Sequence, residues 1–331
     1  MKLDQADEPR PGRYSLAGLR LVRPAAQRGL VSRLVPFLAL GLVVLFFSVT
    51  GGQNFFSVDN ASFLFQQSAI IAIPAFGVTL VIIAGSIDLS VGSVVAMSGI
   101  VAALVARDHG VPLGVGAGIA IGVAAGLFNG FGFAVLKVPS FIVTLGMLSI
   151  ARGLAIVFSQ SQPIDVSPAF QTIGKPPGIF IVFAVCFVAV TVLLRYTSFG
   201  RQAVAIGGQE RVARLSGVGI TRIKILLFMF SGLMAGLGGV LLTARVGAAT
   251  PTSASGFELT AIAAVVLGGT PLTGGVGSMT NTVVGAFILS ILLNGMIIMG
   301  VPSEIQFVVQ GLVLIGAVLL SLERSKIGII K

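Results

Sequence analysis

The charged side chains of this sequence that could recognise a partner are gathered in one island. From Arg195 to Lys224 the segment RYTSFGRQAVAIGGQERVARLSGVGITRIK holds Arg195, Arg201, Arg211, Arg214, Arg222 and Lys224, with apolar runs on both sides. Glu210 and Arg214 stand four residues apart, a spacing that brings an acid and a base together on one helix face. The pattern predicts a short helix with defined ends. Gly207 and Gly208 precede it, Glu210 falls in the first turn where the helix dipole favours an anion, and Gly217 can take the left-handed C-terminal stop. Two roles fit such a helix. It is a connector whose positive charges obey membrane topology, or a docking element whose contact patch would be Val212 and Leu215 among charged neighbours.

Two further places break the apolar pattern. In AGSIDLSVGS (84–93) Asp88 lies with Ser86, Ser90 and Ser93 between two apolar runs, with no basic residue to mark an ordinary loop. A carboxylate there must be hydrated, paired or capping a helix; Asp88 fits either the N-cap of a helix beginning near Leu89 or a polar contact on a pathway or gate. The second break, LGGTPLTGGVGS (267–278), carries five glycines and Pro271, a composition no helix interior survives. Non-helical backbone at membrane depth is tolerated only where protein or a water-filled cavity covers it, so both breaks are candidates to border a path. They also resemble one another, each an apolar run, a glycine-rich break and another apolar run, which hints at an internal repeat.

Other chemistry is missing from the sequence. Cys186 and His109 are the single cysteine and histidine, so no thiolate cluster or His-rich metal site can be assembled. Neither HExxH, nor GxSxG with triad partners, nor a G-x-x-x-x-G-K-[ST] phosphate loop occurs. If ATP drives anything here, another polypeptide hydrolyses it.

What must position these residues is a membrane bundle. Of 331 residues, 55% are hydrophobic and only 10% charged, with mean hydropathy +1.05, which is too apolar for a soluble domain of this size. The expected fold is all-α and polytopic, with about ten spans, at 34–50, 66–85, 89–106, 112–136, 140–158, 178–194, 224–243, 257–269, 280–299 and 305–321; the eighth is short for a crossing. Forty-four glycines suit close helix packing, and GVGAGIAIGVAAG (114–126) and SGLMAGLGG (231–239) read as packing faces. With the N-terminus inside, seventeen Lys and Arg fall on the cytoplasmic side and three (Arg107, Lys175, Arg245) outside, which predicts both termini in the cytoplasm. The net charge of +10 is then a matter of topology and anionic lipid, with no nucleic-acid partner implied. The expected organisation is a basic extension at 1–33, a transmembrane domain at 34–322 with a loop at 196–223, and a tail at 323–331.

GRQAVAIGGQERVARLSGV (200–218) resembles the cytoplasmic signature of the inner-membrane permeases of ribose-type ATP-binding-cassette importers. SIDLSVGSVVAMSGIVAA (86–103), VPSFIVTLGMLSIARGLA (138–155) and GFELTAIAAVVLGGTPLTGGVGS (256–278) are similar to segments of the same permeases in the same order. Gln209 stands where that family usually has Asn, and Ser86 where it usually has Gly. The resemblance implies a dimeric permease in the bacterial inner membrane, without its own catalytic site or cofactor. A separate cassette ATPase would bind ATP and Mg, and a periplasmic sugar-binding protein would deliver a simple sugar. Gly208, Gln209, Glu210, Arg211, Val212, Ala213, Arg214, Leu215, Ser216 and Gly217 become the ATPase-coupling helix, and Asp88, Ser90, Ser93, Thr270 and Thr273 the candidates for the translocation path. External segments 50–62, 159–177 and 244–256, with Asp59, Asp165, Lys175 and Arg245, would meet the binding protein. A branched-chain amino acid or nucleoside permease of similar build is the near alternative. An ion-coupled carrier is the distant one, since only Asp88, Arg152, Glu258 and Glu304 could serve a coupling path.

Overall fold

The computed structural model describes residues 25–321, so most of the basic extension and the tail at 323–331 lie outside the described residues. With no water at membrane depth to satisfy peptide groups, apolar runs close their hydrogen bonds internally as helices. In chain order these are α1 (Ala25–Thr50), α2 (Gly52–Phe55), α3 (Val58–Ile83), α4 (Val91–His109), α5 (Val111–Ala134), α6 (Ser140–Ser159), α7 (Pro168–Gly174), α8 (Gly178–Tyr196), α9 (Ser198–Leu215), α10 (Ile220–Val246), α11 (Phe257–Leu267), α12 (Met279–Ile298) and α13 (Ser303–Ser321). Among the described residues, α3, α4, α5, α6, α8, α10 and α12 are long and apolar enough to cross a membrane. The eighth expected span is instead the 11-residue α11. At 1.5 Å per residue it covers roughly half of a ~30 Å hydrocarbon layer.

Helices α3 and α10 form the middle of the bundle, and α5 lies along α10 in backbone contact. A Cβ on Gly122 would collide with the Gly232 carbonyl, one on Gly232 with the Gly122 carbonyl, and one on Gly126 with the Phe228 carbonyl. The two glycine-rich stretches expected to be packing faces are therefore packed on each other. In lipid, where apolar exclusion gives no drive between helices, this approach supplies the dispersion contacts that hold the pair.

The two breaks are built alike. After α3, Ala84 N–H donates to Leu80 O, Gly85 to Ile82 O and Ser86 to Val81 O; after α11, Gly268 donates to Ala264 O, Gly269 to Val266 O and Thr270 to Val265 O. Gly85 (φ +74°) and Gly269 (φ +83°) take the left-handed position that lets each helix close its last carbonyls this way. The resemblance between the two segments thus extends to their hydrogen bonding. At the end of the bundle away from α9, two short strands, β1 (Ile164–Asp165) and β2 (Ala248–Ala249), pair antiparallel and tie the α6–α7 connection to the exit of α10.

Gly122→Ala and Gly232→Ala are expected to destabilise the bundle by about 1–3 kcal/mol each, the range for overpacking. Gly116→Ala, where a Cβ meets open space, should be neutral. Thermal aggregation in detergent checks this, and equal behaviour of all three would exclude the packing argument.

Candidate functional site

The basic island folds as α9, but not as one helix. Thr197 caps its start, its hydroxyl accepting from Gly200 N–H, so helix runs from Ser198 through the glycines expected to precede it. At Gln209 the backbone turns extended (φ −162°, ψ 101°) and a new helix begins at Glu210. Gly208 is thus the last residue of one helix rather than the lead-in to a single one. The second helix ends as expected: Gly217 takes φ +82°, with its N–H on Arg214 O and Val218 N–H on Ala213 O. Arg211, Val212, Arg214, Leu215 and Ser216 are exposed, Leu215 at 82%, while Ala213 is buried beneath them. Val212 and Leu215 thus lie exposed beside Arg211 and Arg214.

Two attachments hold this helix to the bundle. The first is backbone on backbone: a Cβ at Gly207 would collide with the Ile83 carbonyl, and would lie 2.6 Å from Gly275 N. That same Ile83 carbonyl, otherwise an orphan at the end of α3, accepts from Gly275 N–H at 2.8 Å. Gly274 packs on Gly85, and Gly275 on Gly208. Both breaks therefore meet at the start of the short helix. The second attachment is electrostatic. Glu210 accepts from Arg214 Nη2 and from Lys224 Nζ, each at 2.8 Å. Lys224, near the start of α10, is only 14% exposed and sits 4.3 Å from the centroid of the Phe133 ring of α5. The Lys224 hydrogen bond is the main reason the Glu210 carboxyl titrates below its ordinary value of 4.5; partial burial opposes it, and the charges of Lys224 and Arg214 assist.

At Asp88 the structure departs from the simple N-cap expected. α4 starts at Val91 with Ser90 in the cap position, and Ser90 makes no side-chain cap bond. Asp88 Oδ1 instead accepts from Ser90 N–H (3.0 Å) and Ser90 Oγ (2.7 Å), and Oδ2 from Ser231 Oγ of α10 (2.8 Å). Asn129 of α5 donates to Ser90 Oγ at 2.9 Å, and Ser93 Oγ to Ser90 O at 2.8 Å. Asp88 is 2% exposed, so its three donors stand in for water and the carboxylate joins α4, α5 and α10. Of the other path candidates, Ser90, Ser93 and Thr270 are likewise buried, and Thr270 Oγ1 has no partner; only Thr273 is exposed.

On the opposite end Asp59, Asp165 and Lys175 are exposed, whereas Arg245 donates to Gln67 and lies 4.6 Å from the Phe63 ring centroid. Its charge is used inside the bundle. Arg152 donates from Nη1 to Pro251 O (2.6 Å) and Ser253 O (3.0 Å). Among the described residues no group of three His, Cys, Asp or Glu side chains could hold a metal ion.

Residues 60–318 match the family described as branched-chain amino acid transport system / permease component. The chain belongs to this family. Similar proteins include the ribose import permease protein RbsC of Bacillus subtilis (strain 168), 39% identical over 308 residues that cover 90% of this chain and 95% of that protein. RbsC of Escherichia coli (strain K12) is 39% identical over 295 residues, 86% of this chain and 92% of its own. The L-arabinose transport system permease protein AraH of the same strain is 35% identical over 299 residues, covering 86% and 91%. No solved structure matches the chain. Family membership accounts for the run of apolar, membrane-length helices.

Two partners of this site, Asn129 and Ser231, are not among the sequence candidates, and Lys224 stands there only as one cation of the island, without its link to Glu210. Lys224→Met should leave the membrane fold intact but free the short helix, read as faster hydrogen exchange at 210–217. A clamp whose acid titrates below its ordinary value is present above that value and lost only as pH falls beneath it. The protection should therefore be constant between about pH 6 and 8 and fall below about pH 4.5. Asp88→Ala should cost about 1–3 kcal/mol, the penalty for orphaned buried donors, and Asp88→Asn less, both read as thermal stability.

Proposed function

We propose that this chain is the membrane-spanning subunit of an ATP-binding-cassette importer that passes a simple sugar across the bacterial inner membrane. Membership of a permease family and likeness to ribose and L-arabinose permeases over most of the chain support the sugar class. The observation that carries the mechanism is the short helix 210–215, exposed on one side and fixed by Gly207 and Lys224 on the other. A cassette ATPase, binding ATP and Mg in its own chain, would seat Val212 and Leu215 and push this helix as its nucleotide sandwich closes. The push reaches the ends of α3 and α11 through the glycine contact, and α10 through Lys224.

In this reading the excess of basic residues puts α9 in the cytoplasm, with both termini on that side and ten apolar segments, α11 being a half-length one. The outer end, with β1, β2, α7 and exposed Asp165 and Lys175, receives the sugar-binding protein. Two copies of this chain enclose the path.

The test is ATP hydrolysis by the complex of this chain, its cassette ATPase and its binding protein in lipid nanodiscs. Sugar-loaded binding protein should stimulate hydrolysis in the native complex, and Leu215→Asp, which puts a charge in the contact, should abolish stimulation by weakening ATPase association tenfold or more, about 1.4 kcal/mol. Uptake that continues without any ATPase would point to an ion-coupled carrier. Stimulation by leucine in place of sugar would point to the amino acid branch of the family.

A further inference from the structure

We infer that Arg152, Glu258 and the polar chain at 252–255 form a hydroxyl-binding station in the wall of the translocation path, suited to a neutral polyhydroxylated cargo; the cargo class rests on the importer reading above. The first observation is depth. Arg152 lies seven residues before the end of α6, roughly 10 Å along the helix at 1.5 Å per residue. Its bonds to Pro251 O and Ser253 O show that the chain leaving β2 descends to that level before α11 begins at Phe257. Between β2 and α11 the chain makes turns rather than helix or strand. Thr252 and Ser255 are exposed there and Ser253 is half-buried, and Leu259 in the first turn of α11 is exposed. The Ser255 hydroxyl donates to Thr252 O and the Ser253 hydroxyl pairs with Thr250 within the segment, and irregular backbone of this kind does not face lipid at such a depth; it lines water or protein.

The second observation is an ion pair left open. Glu258 lies in the first turn of α11, half-buried, and its Oε2 is enclosed without a hydrogen-bond partner. Arg152 is within electrostatic reach of it, yet no ion pair closes between them among the described residues, and Arg152 Nε and Nη2 make no hydrogen bond there. Space for the carboxylate is kept by Gly92 of α4, where a Cβ would collide with Oε2. Oε2 is closed off against Gly92 in this conformation, so the cargo would reach it in a state that opens that contact; there a hydroxyl can donate to the carboxylate and accept from the guanidinium at once, completing both groups without changing the charge between them. A free ion would satisfy one and repel the other. By contrast, the Asp88 carboxylate already has its donors, and Ser90, Ser93 and Thr270 are buried.

The test uses the full complex with its ATPase and binding protein in proteoliposomes. Cys186 is the chain's single cysteine, so a Cys186→Ala background allows one cysteine at a time. Ser255→Cys and Leu259→Cys should react with a charged, membrane-impermeant maleimide in at least one nucleotide state, while Val185→Cys on α8 should not. With D-ribose and L-arabinose as probes, Glu258→Gln should lower transport at least about tenfold, the worth of a hydrogen bond to a charged group, with ATPase association unchanged. Gly92→Ala, which displaces the same carboxylate, should repeat the loss. Silence of Ser255→Cys and Leu259→Cys in every state, or native transport by Glu258→Gln, would overturn the station. If labelling succeeds but the native complex carries neither sugar, the station stands as a water-lined wall and the sugar reading fails instead.

Discussion

The arrangement rests on a contact made without side chains. At the end of α3, the Ile83 carbonyl accepts from Gly275 and lies against Gly207, so that three segments distant in sequence touch through peptide groups alone. A single Cβ at Gly207 would force them apart, and nothing flexible could yield, because the colliding atoms are backbone. The exposed segment 210–217 follows directly on this contact. Since α3 and α11 end in the same hydrogen-bonded turn, a displacement of the short helix meets two like-built helix ends at once.

Polar groups within the bundle divide into those already satisfied and those left open. Asp88 draws donors from α4 and α10 and, through Ser90, a further contact from α5; a buried carboxylate so supplied is fastening, and it costs little because its hydration has been replaced. Thr79 and Thr282 do the same at 2.8 Å between α3 and α12. Arg152 and Glu258 differ in being short of partners. Ser68, Ser98, Thr270 and Ser290 also hold buried oxygens without partners, but Glu258 is the charged group among them.

How much of this could be read from the sequence follows from the range of each interaction. The Glu210–Arg214 pair, the Gly217 stop and the exposure of Val212 and Leu215 are local, set by spacing within one helix, and they were visible. The turn at Gln209 was not, since no side chain there opposes continued helix and tertiary packing sets the break. Lys224 lies fourteen residues from Glu210 and Ser231 lies 143 from Asp88, and no periodicity relates such pairs. Thr270 sits in a glycine-rich break whose turn folds inward and buries it completely, an outcome of tertiary packing that the local sequence does not carry. The glycine-rich breaks were recognisable as non-helical; that they meet each other beside Gly207 depends on the whole bundle.

The extended residue at Gln209 divides the chain into parts that can vary independently. On one side stand Gly207 and Gly208, where geometry admits no side chain at the first; on the other, Val212 and Leu215 touch nothing that fixes their identity. Mutational drift can therefore rewrite the exposed face of this helix while the backbone contact beneath stays constant. Segment 210–217 could be exchanged alone between related chains, provided the acid that meets Lys224 travels with the graft.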